Sequence, residues 1–168
     1  MKLKGWEISL FPLLGVLMFV SKLLMEFLPN VHLIGMFIVV FTVLFRTKAL
    51  IPIYIFVFLT GLYGGFSPWW VPYLYIWTVL WAAVMLLPKN MPKPIAAMVY
   101  SVVCGLHGLF YGTLYAPAQA LMFGLDFKGT VAWIISGLPF DIVHCIGNLF
   151  ASVLILPIIT PLRKLIRK

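Results

Sequence analysis

Long apolar runs, most of them close to twenty residues, restrict this chain to one kind of environment, because a segment with no polar face has nothing to turn toward water. They extend from Trp6 to Leu28, Val31 to Phe45, Ala49 to Phe66, Trp69 to Leu87, Ile95 to Tyr115 and, after a mixed stretch, on to Leu162. A hydrocarbon layer about 30 Å thick takes an apolar helix of about 20 residues, so six helical spans fit these runs. A membrane β-barrel needs segments of about ten residues alternating between polar and apolar, and the runs have no such period. The expected class is an all-α integral membrane protein, a six-transmembrane-helix bundle forming a single transmembrane domain over residues 1–168. With 64% hydrophobic and 10% charged residues, the composition excludes an ordinary soluble domain.

The formal net charge of +8 invites a nucleic-acid reading, which the order of the cations along the chain replaces. Lys2 and Lys4 precede the first run, Arg46 and Lys48 join the second to the third, Lys89 and Lys93 join the fourth to the fifth, and Arg163, Lys164, Arg167 and Lys168 follow the sixth. The alternate connections carry Lys128 alone. Under the positive-inside rule this asymmetry puts both termini in the cytoplasm. The basic excess is thus a topology signal, the bilayer is the surrounding partner, and no nucleic acid is expected. The first run is too long for a signal-peptide core and no small-residue cleavage site follows it, so it should remain as a span. Cys104 and Cys145 both fall within runs, where a thiol acts as a small apolar residue.

The polar side chains inside the spans gather at one depth. A charge at a helix centre costs about 2.5–3.5 kcal/mol on insertion scales, so several at one level imply a shared polar cavity. Ser136-Gly137-Leu138-Pro139 supplies a start for the sixth helix, running from about Pro139 to Leu162. Asp141 is then 22 residues before Arg163, or about 33 Å, near the outer boundary and in a first turn that favours negative charge. His144 and Asn148 follow at i+3 and i+7 on the same face. His107 stands 14 residues beyond Lys93, about 21 Å up, while Glu26 ends the first span and Lys22 lies one turn deeper. Lys22 and Glu26 also have the spacing of a neutralising pair.

Aromatic residues collect near the same surface, among them Trp69, Trp70, Tyr73, Tyr75, Tyr111, Tyr115 and Trp133. Part of this is a headgroup belt, and the rest suits stacking on a flat ligand. Gly64, Gly65, Ser67 and Pro68 form a joint that could swing Trp69 and Trp70 over a cavity mouth. The stretch from Ala116 to Gly137, interrupted by Pro117, Gly124, Asp126, Lys128 and Gly129, reads as a partly embedded outer lid and not as a span. Gly108 and Gly112 have the small-xxx-small spacing of close helix packing.

Six spans with both ends inside, together with Gly137-Leu138-Pro139-Phe140-Asp141-Ile142-Val143-His144 followed by Gly147-Asn148, resemble the substrate-binding S component of energy-coupling factor (ECF) vitamin transporters. The turn Leu28-Pro29-Asn30-Val31 also resembles the first outer loop of that family. The resemblance implies a subunit of a prokaryotic plasma membrane that captures a vitamin or cofactor precursor from outside. Its partners would be a transmembrane coupling subunit and two ATPase subunits. It places Pro139, Asp141 and His144 at the substrate site, to which the polar level and the aromatic cluster add Asn148, His107, Glu26, Lys22, Asn30, His32, Trp69, Trp70, Tyr111 and Tyr115 as expected binding residues. Riboflavin-like, pterin-like, queuosine-precursor and cobalamin ligands all suit such a mixture of polar and aromatic groups. The first helix departs from the family, since over Phe11–Phe19 Gly15 is the one small residue where an Ala-xxx-Ala docking face is usual.

Two alternatives belong to other classes. A non-transporting, MreD-like rod-shape scaffold has a similar helical arrangement but needs no outer polar stripe. An intramembrane enzyme or haem protein using His107 and His144 would be supported by HExxH, GxSxG or paired axial-ligand spacing, none of which occurs. No enzyme activity, cofactor or metal is expected, and the chain has no phosphate-binding glycine loop with lysine.

Overall fold

Backbone surrounded by hydrocarbon must satisfy its own N–H and C=O groups, which makes apolar sequence helical. The computed structural model describes residues 3–166, leaving the cations Lys2, Arg167 and Lys168 outside the described residues. It contains α1 (Gly5–Leu24), α2 (Ile34–Phe45), α3 (Leu50–Gly64), α4 (Tyr73–Leu86), α5 (Lys93–Leu109), α6 (Tyr111–Phe123), α7 (Phe127–Ser152) and α8 (Ile155–Ile166). No strand occurs among the described residues.

Five helical stretches are long and apolar enough to cross a membrane: Gly5–Leu24, Ile34–Gly64, Pro68–Leu86, Lys93–Phe123 and Phe127–Ser152. The second of these is folded back on itself. Arg46 ends α2 with φ 55°, a left-handed value that turns the chain, and a 3-10 turn over Arg46–Ala49 leads into α3. Side-chain pairs fix the resulting directions. Glu7 meets Lys48 and Phe19 meets Tyr63, so α1 and α3 run parallel. His32 meets Trp77 while Trp81 bonds the Arg46 carbonyl, so α2 runs parallel to α4. Asp141 meets Gly112 and Ser152 meets Ser101, so α7 runs antiparallel to α5 and α6. Consecutive helical runs of the described residues thus alternate in direction.

Every residue of α2 from Ile34 to Thr42 is buried. A helix that is apolar all round belongs at the centre of a bundle, and α1, α4, α5, α7 and α8 pack against it. Glycines allow the closest approaches. A Cβ on Gly108 would fall 2.9 Å from backbone atoms of His144 and Cys145, and one on Gly15 would fall 2.6 Å from Ile55 Cγ2. Gly15 therefore serves packing within the bundle, between α1 and α3.

At the end that carries both termini, the Glu7 carboxylate is 4% exposed. It accepts from Lys48 Nζ at 2.6 and 2.8 Å and from the Lys4 backbone N–H at 2.7 Å, which fastens the start of α1 to the turn between α2 and α3. Buried charge is therefore not confined to the opposite level. A carboxylate that has a cation and an N–H for partners can be held at this end as well.

The sequence-based start of the last helix needs correction. Helix α7 begins at Phe127, and Pro139 lies inside it. The stronger start signal is Asp126, whose side chain accepts from Gly129 N–H at 2.7 Å as an N-cap. Gly124, at φ 66°, ends α6 in the left-handed conformation. The stretch from Ala116 to Gly137 is accordingly a helical hairpin, because most of its apparent interruptions sit at helix ends. Helix α7 closes at Ser152, short of Leu162, and α8 resumes at Ile155. Pro157 accounts for this break, since it has no N–H to offer the Val153 carbonyl and its ring crowds that group.

Candidate binding site

Three segments from different parts of the chain converge at the end of the bundle opposite the termini. They are the turn after α1, the approach to α4, and the region where α5, α6 and α7 meet. Lys22, Met25, Glu26, Leu28, Pro29, Asn30, Val31, His32, Trp69, Tyr73, Tyr111, Tyr115 and His144 line a cavity of about 330 Å³. Asn30 has φ 60°, and asparagine tolerates this left-handed conformation better than most residues, which lets the turn double back beside the cavity. Lys22 and Glu26 both face the cavity, and the described residues form no ion pair between them.

Aromatic rings form the walls. Trp69, Tyr73 and Trp77 recur at every fourth residue and so share a helical face. Trp77 is 1% exposed and forms the hub, with ring centroids 5.5 Å from Tyr73, 5.7 Å from Tyr111, 5.7 Å from His107 and 5.8 Å from His32. The His32 and His144 rings lie 4.6 Å apart, and Tyr111 is 4.8 Å from His144. All three histidines of the chain therefore meet around one tryptophan and one tyrosine.

The polar atoms of this group are largely unpaired within the protein. His32 Nδ1, His144 Nε2, His107 Nδ1, Trp77 Nε1 and Asn148 Oδ1 are buried without a hydrogen-bond partner among the described residues. Leaving a buried polar atom unpaired costs about 1–3 kcal/mol, so five in one neighbourhood are a large local expense for the fold. His32 and His144 present theirs beside the cavity. His107 Nε2 donates to the Ile76 carbonyl at 3.1 Å, which leaves Nδ1 as an acceptor. Among the described residues no three of His, Cys, Asp and Glu stand together as metal ligands.

Of the residues expected at the site, Lys22, Glu26, Asn30, His32, Trp69, Tyr111, Tyr115 and His144 line the cavity. Asp141, Asn148, His107 and Trp70 lie outside its lining. Both Asp141 oxygens accept from Gly112 N–H, at 3.0 and 3.1 Å, in the first turn of α6. The carboxylate therefore meets a helix N-terminus as expected, but that of a neighbouring helix. Asn148 Nδ2 donates to the Cys104 carbonyl at 2.9 Å, deep between α5 and α7. Trp70 Nε1 donates to the Val57 carbonyl at 2.8 Å, which pins that ring to α3. The expected Trp69–Trp70 pair is thus divided between a cavity wall and an anchor. Gly65, at φ 83°, makes the turn before them.

The α6–α7 hairpin is tied to the same wall. Tyr115 Oη donates to the Trp69 carbonyl at 2.8 Å, its ring stacks on Trp133, and Tyr75 Oη donates to the Leu114 carbonyl at 2.7 Å. Sequence reasoning named Tyr73 only within the aromatic cluster and overlooked Trp77 altogether. The four-residue spacing from Trp69 was the available signal. No family model, curated protein or solved structure matches this chain.

Proposed function

We propose that the protein is the substrate-capturing membrane subunit of an ECF-type importer, an S component with six spans and both termini in the cytoplasm. The observation that carries this reading is the meeting of unpaired His32 Nδ1 and His144 Nε2 with the aromatic walls of a cavity at the end remote from the termini. Rings orient a flat ligand by stacking, and a few converging polar atoms select it. Under the positive-inside assignment the cavity opens to the outside.

The volume narrows the ligand class. At about 330 Å³ the cavity lies near the lower end of small-molecule sites, which span roughly 300–1,000 Å³. A one- or two-ring compound with both donor and acceptor edges fits that space, and a corrinoid is too large. Lys22 and Glu26 at the rim suit a ligand with an anionic group and an amine or amide. Delivery would then pass to a coupling subunit and two ATPase subunits. The lipid-facing side of α1, carrying Leu13, Val16, Leu17 and Val20, offers an apolar surface for that contact in place of Gly15.

The test is mass spectrometry of small molecules released by denaturing protein that was purified gently from cells grown in rich medium. The expected result is one aromatic, polar compound per protein, absent from His144→Ala and Lys22→Ala preparations. Release of no compound from wild type, with transport of candidate nutrients unaffected by deleting the protein, would overturn the reading.

A further inference from the structure

The end of the bundle that carries the termini holds a second, strongly basic cavity. Arg46, Lys89 and Arg163 line about 290 Å³ there, with Asn90 and Tyr100. Arg46 is held in place from both sides: its Nη2 donates to the Met85 carbonyl at 2.9 Å, and its own carbonyl accepts from Trp81 Nε1 at 3.1 Å. Tyr100 is 6% exposed and lines the cavity.

None of the chain's own acids answers this charge. The chain has four acidic residues. Glu7 is bound to Lys48, Glu26 faces the cavity at the other end, Asp126 caps α7, and Asp141 holds Gly112. Three cations lining one cavity call for an anion from outside the chain, and phosphate oxygens match guanidinium and ammonium donors.

A neighbouring groove indicates what carries that anion. It has a volume of about 570 Å³, includes Leu14, Phe41, Phe45 and Leu162 in its lining, and meets the basic cavity at Leu44 and Ile166. A basic cavity that shares two wall residues, Leu44 and Ile166, with an apolar groove suits a molecule with a charged head and a hydrocarbon tail. Basic pockets between membrane helices hold anionic lipid headgroups in this way. The absence of a carboxylate from the cavity lining disfavours headgroups that carry an ammonium. We propose that this cavity and groove together bind one anionic phospholipid from the leaflet at the terminal end. Its phosphate would lie among Arg46, Lys89, Arg163 and the Tyr100 hydroxyl, with one acyl chain along the groove. The inference does not depend on what the opposite cavity binds.

Native mass spectrometry of delipidated protein tests this, with phosphatidylglycerol or phosphatidylcholine added back. Wild type should retain one phosphatidylglycerol and no phosphatidylcholine. Lys89 is exposed, so Lys89→Gln should leave the lipid-free unfolding temperature unchanged. The same change should weaken phosphatidylglycerol retention about fivefold, the effect of one cation near a headgroup. Lys128→Gln, at the far end, should behave as wild type. Equal retention of the two lipids, or full retention by Lys89→Gln, would overturn the proposal. Binding of inorganic phosphate that depends on Lys89, without binding of phosphatidylglycerol, would assign the site to a free anion and overturn it as well.

Discussion

Asp141→Asn separates a clasp between helices from a ligand contact. In the wild type the carboxylate receives Gly112 N–H at 3.0 and 3.1 Å and lies against the positive end of α6. The amide keeps one acceptor oxygen but turns an NH₂ toward the same N–H. The substitution therefore removes the charge-assisted part of the bond, about 1 kcal/mol, and the charge–dipole attraction, about 0.3–2 kcal/mol. Relief from burying a carboxylate offsets part of this, which leaves a net loss of about 1–2.5 kcal/mol. For a chain of this size that lowers the unfolding temperature by on the order of 3–10 °C. Gly112→Ala attacks the same contact from the other side, since its Cβ would fall 2.6 Å from Asp141 Oδ2. The two changes should then be non-additive, with the double variant no less stable than the worse single by more than about 0.5 kcal/mol. Thermal unfolding in detergent, followed by intrinsic fluorescence, measures all four proteins. Asp141→Asn with an unchanged unfolding temperature but lost ligand binding would refute the clasp and return Asp141 to the binding site.

Other perturbations have equally definite outcomes. His144→Phe removes a buried, unpaired nitrogen while keeping an aromatic ring beside Tyr111, so it should hold or raise the unfolding temperature and abolish ligand capture. Glu7→Gln breaks the bond to Lys48, whose side chain is 25% exposed; with that solvent screening the loss should be about 1–3 kcal/mol, measured by thermal unfolding, and ligand binding should not change. Gly124→Ala forces a Cβ into φ 66° at the hairpin tip and should cost about 1–2 kcal/mol by the same measurement.

Helicity and the long apolar stretches were legible in the sequence, because apolar length does not depend on tertiary detail. Lys22, His32, Trp69, Tyr111 and His144, all expected at one site, do line one cavity, whereas Asp141 and His107, the two placed by counting residues from the basic ends, lie outside its lining. The roles along α7 were not legible. Asp141, His144 and Asn148 do share a face, yet they span about 10 Å of helix axis, and each meets a different neighbour. Only His144 of the three lines the cavity. Pro139 resembled a helix start because proline suits a first turn, but Asp126 provides a cap that proline cannot. Trp77 was hidden for the opposite reason: a tryptophan inside an apolar run carries no sign that its N–H is unpaired.

The most direct test of the capture site is a fluorescence titration in which the compound released from wild type is added back to stripped protein. Six tryptophans provide the signal, and Trp69 and Trp77 stand at or beside the cavity. One equivalent should quench wild type to saturation, while His32→Ala and His144→Ala should show no saturable change and Lys89→Gln should titrate as wild type. Undiminished binding by both histidine variants would contradict the account.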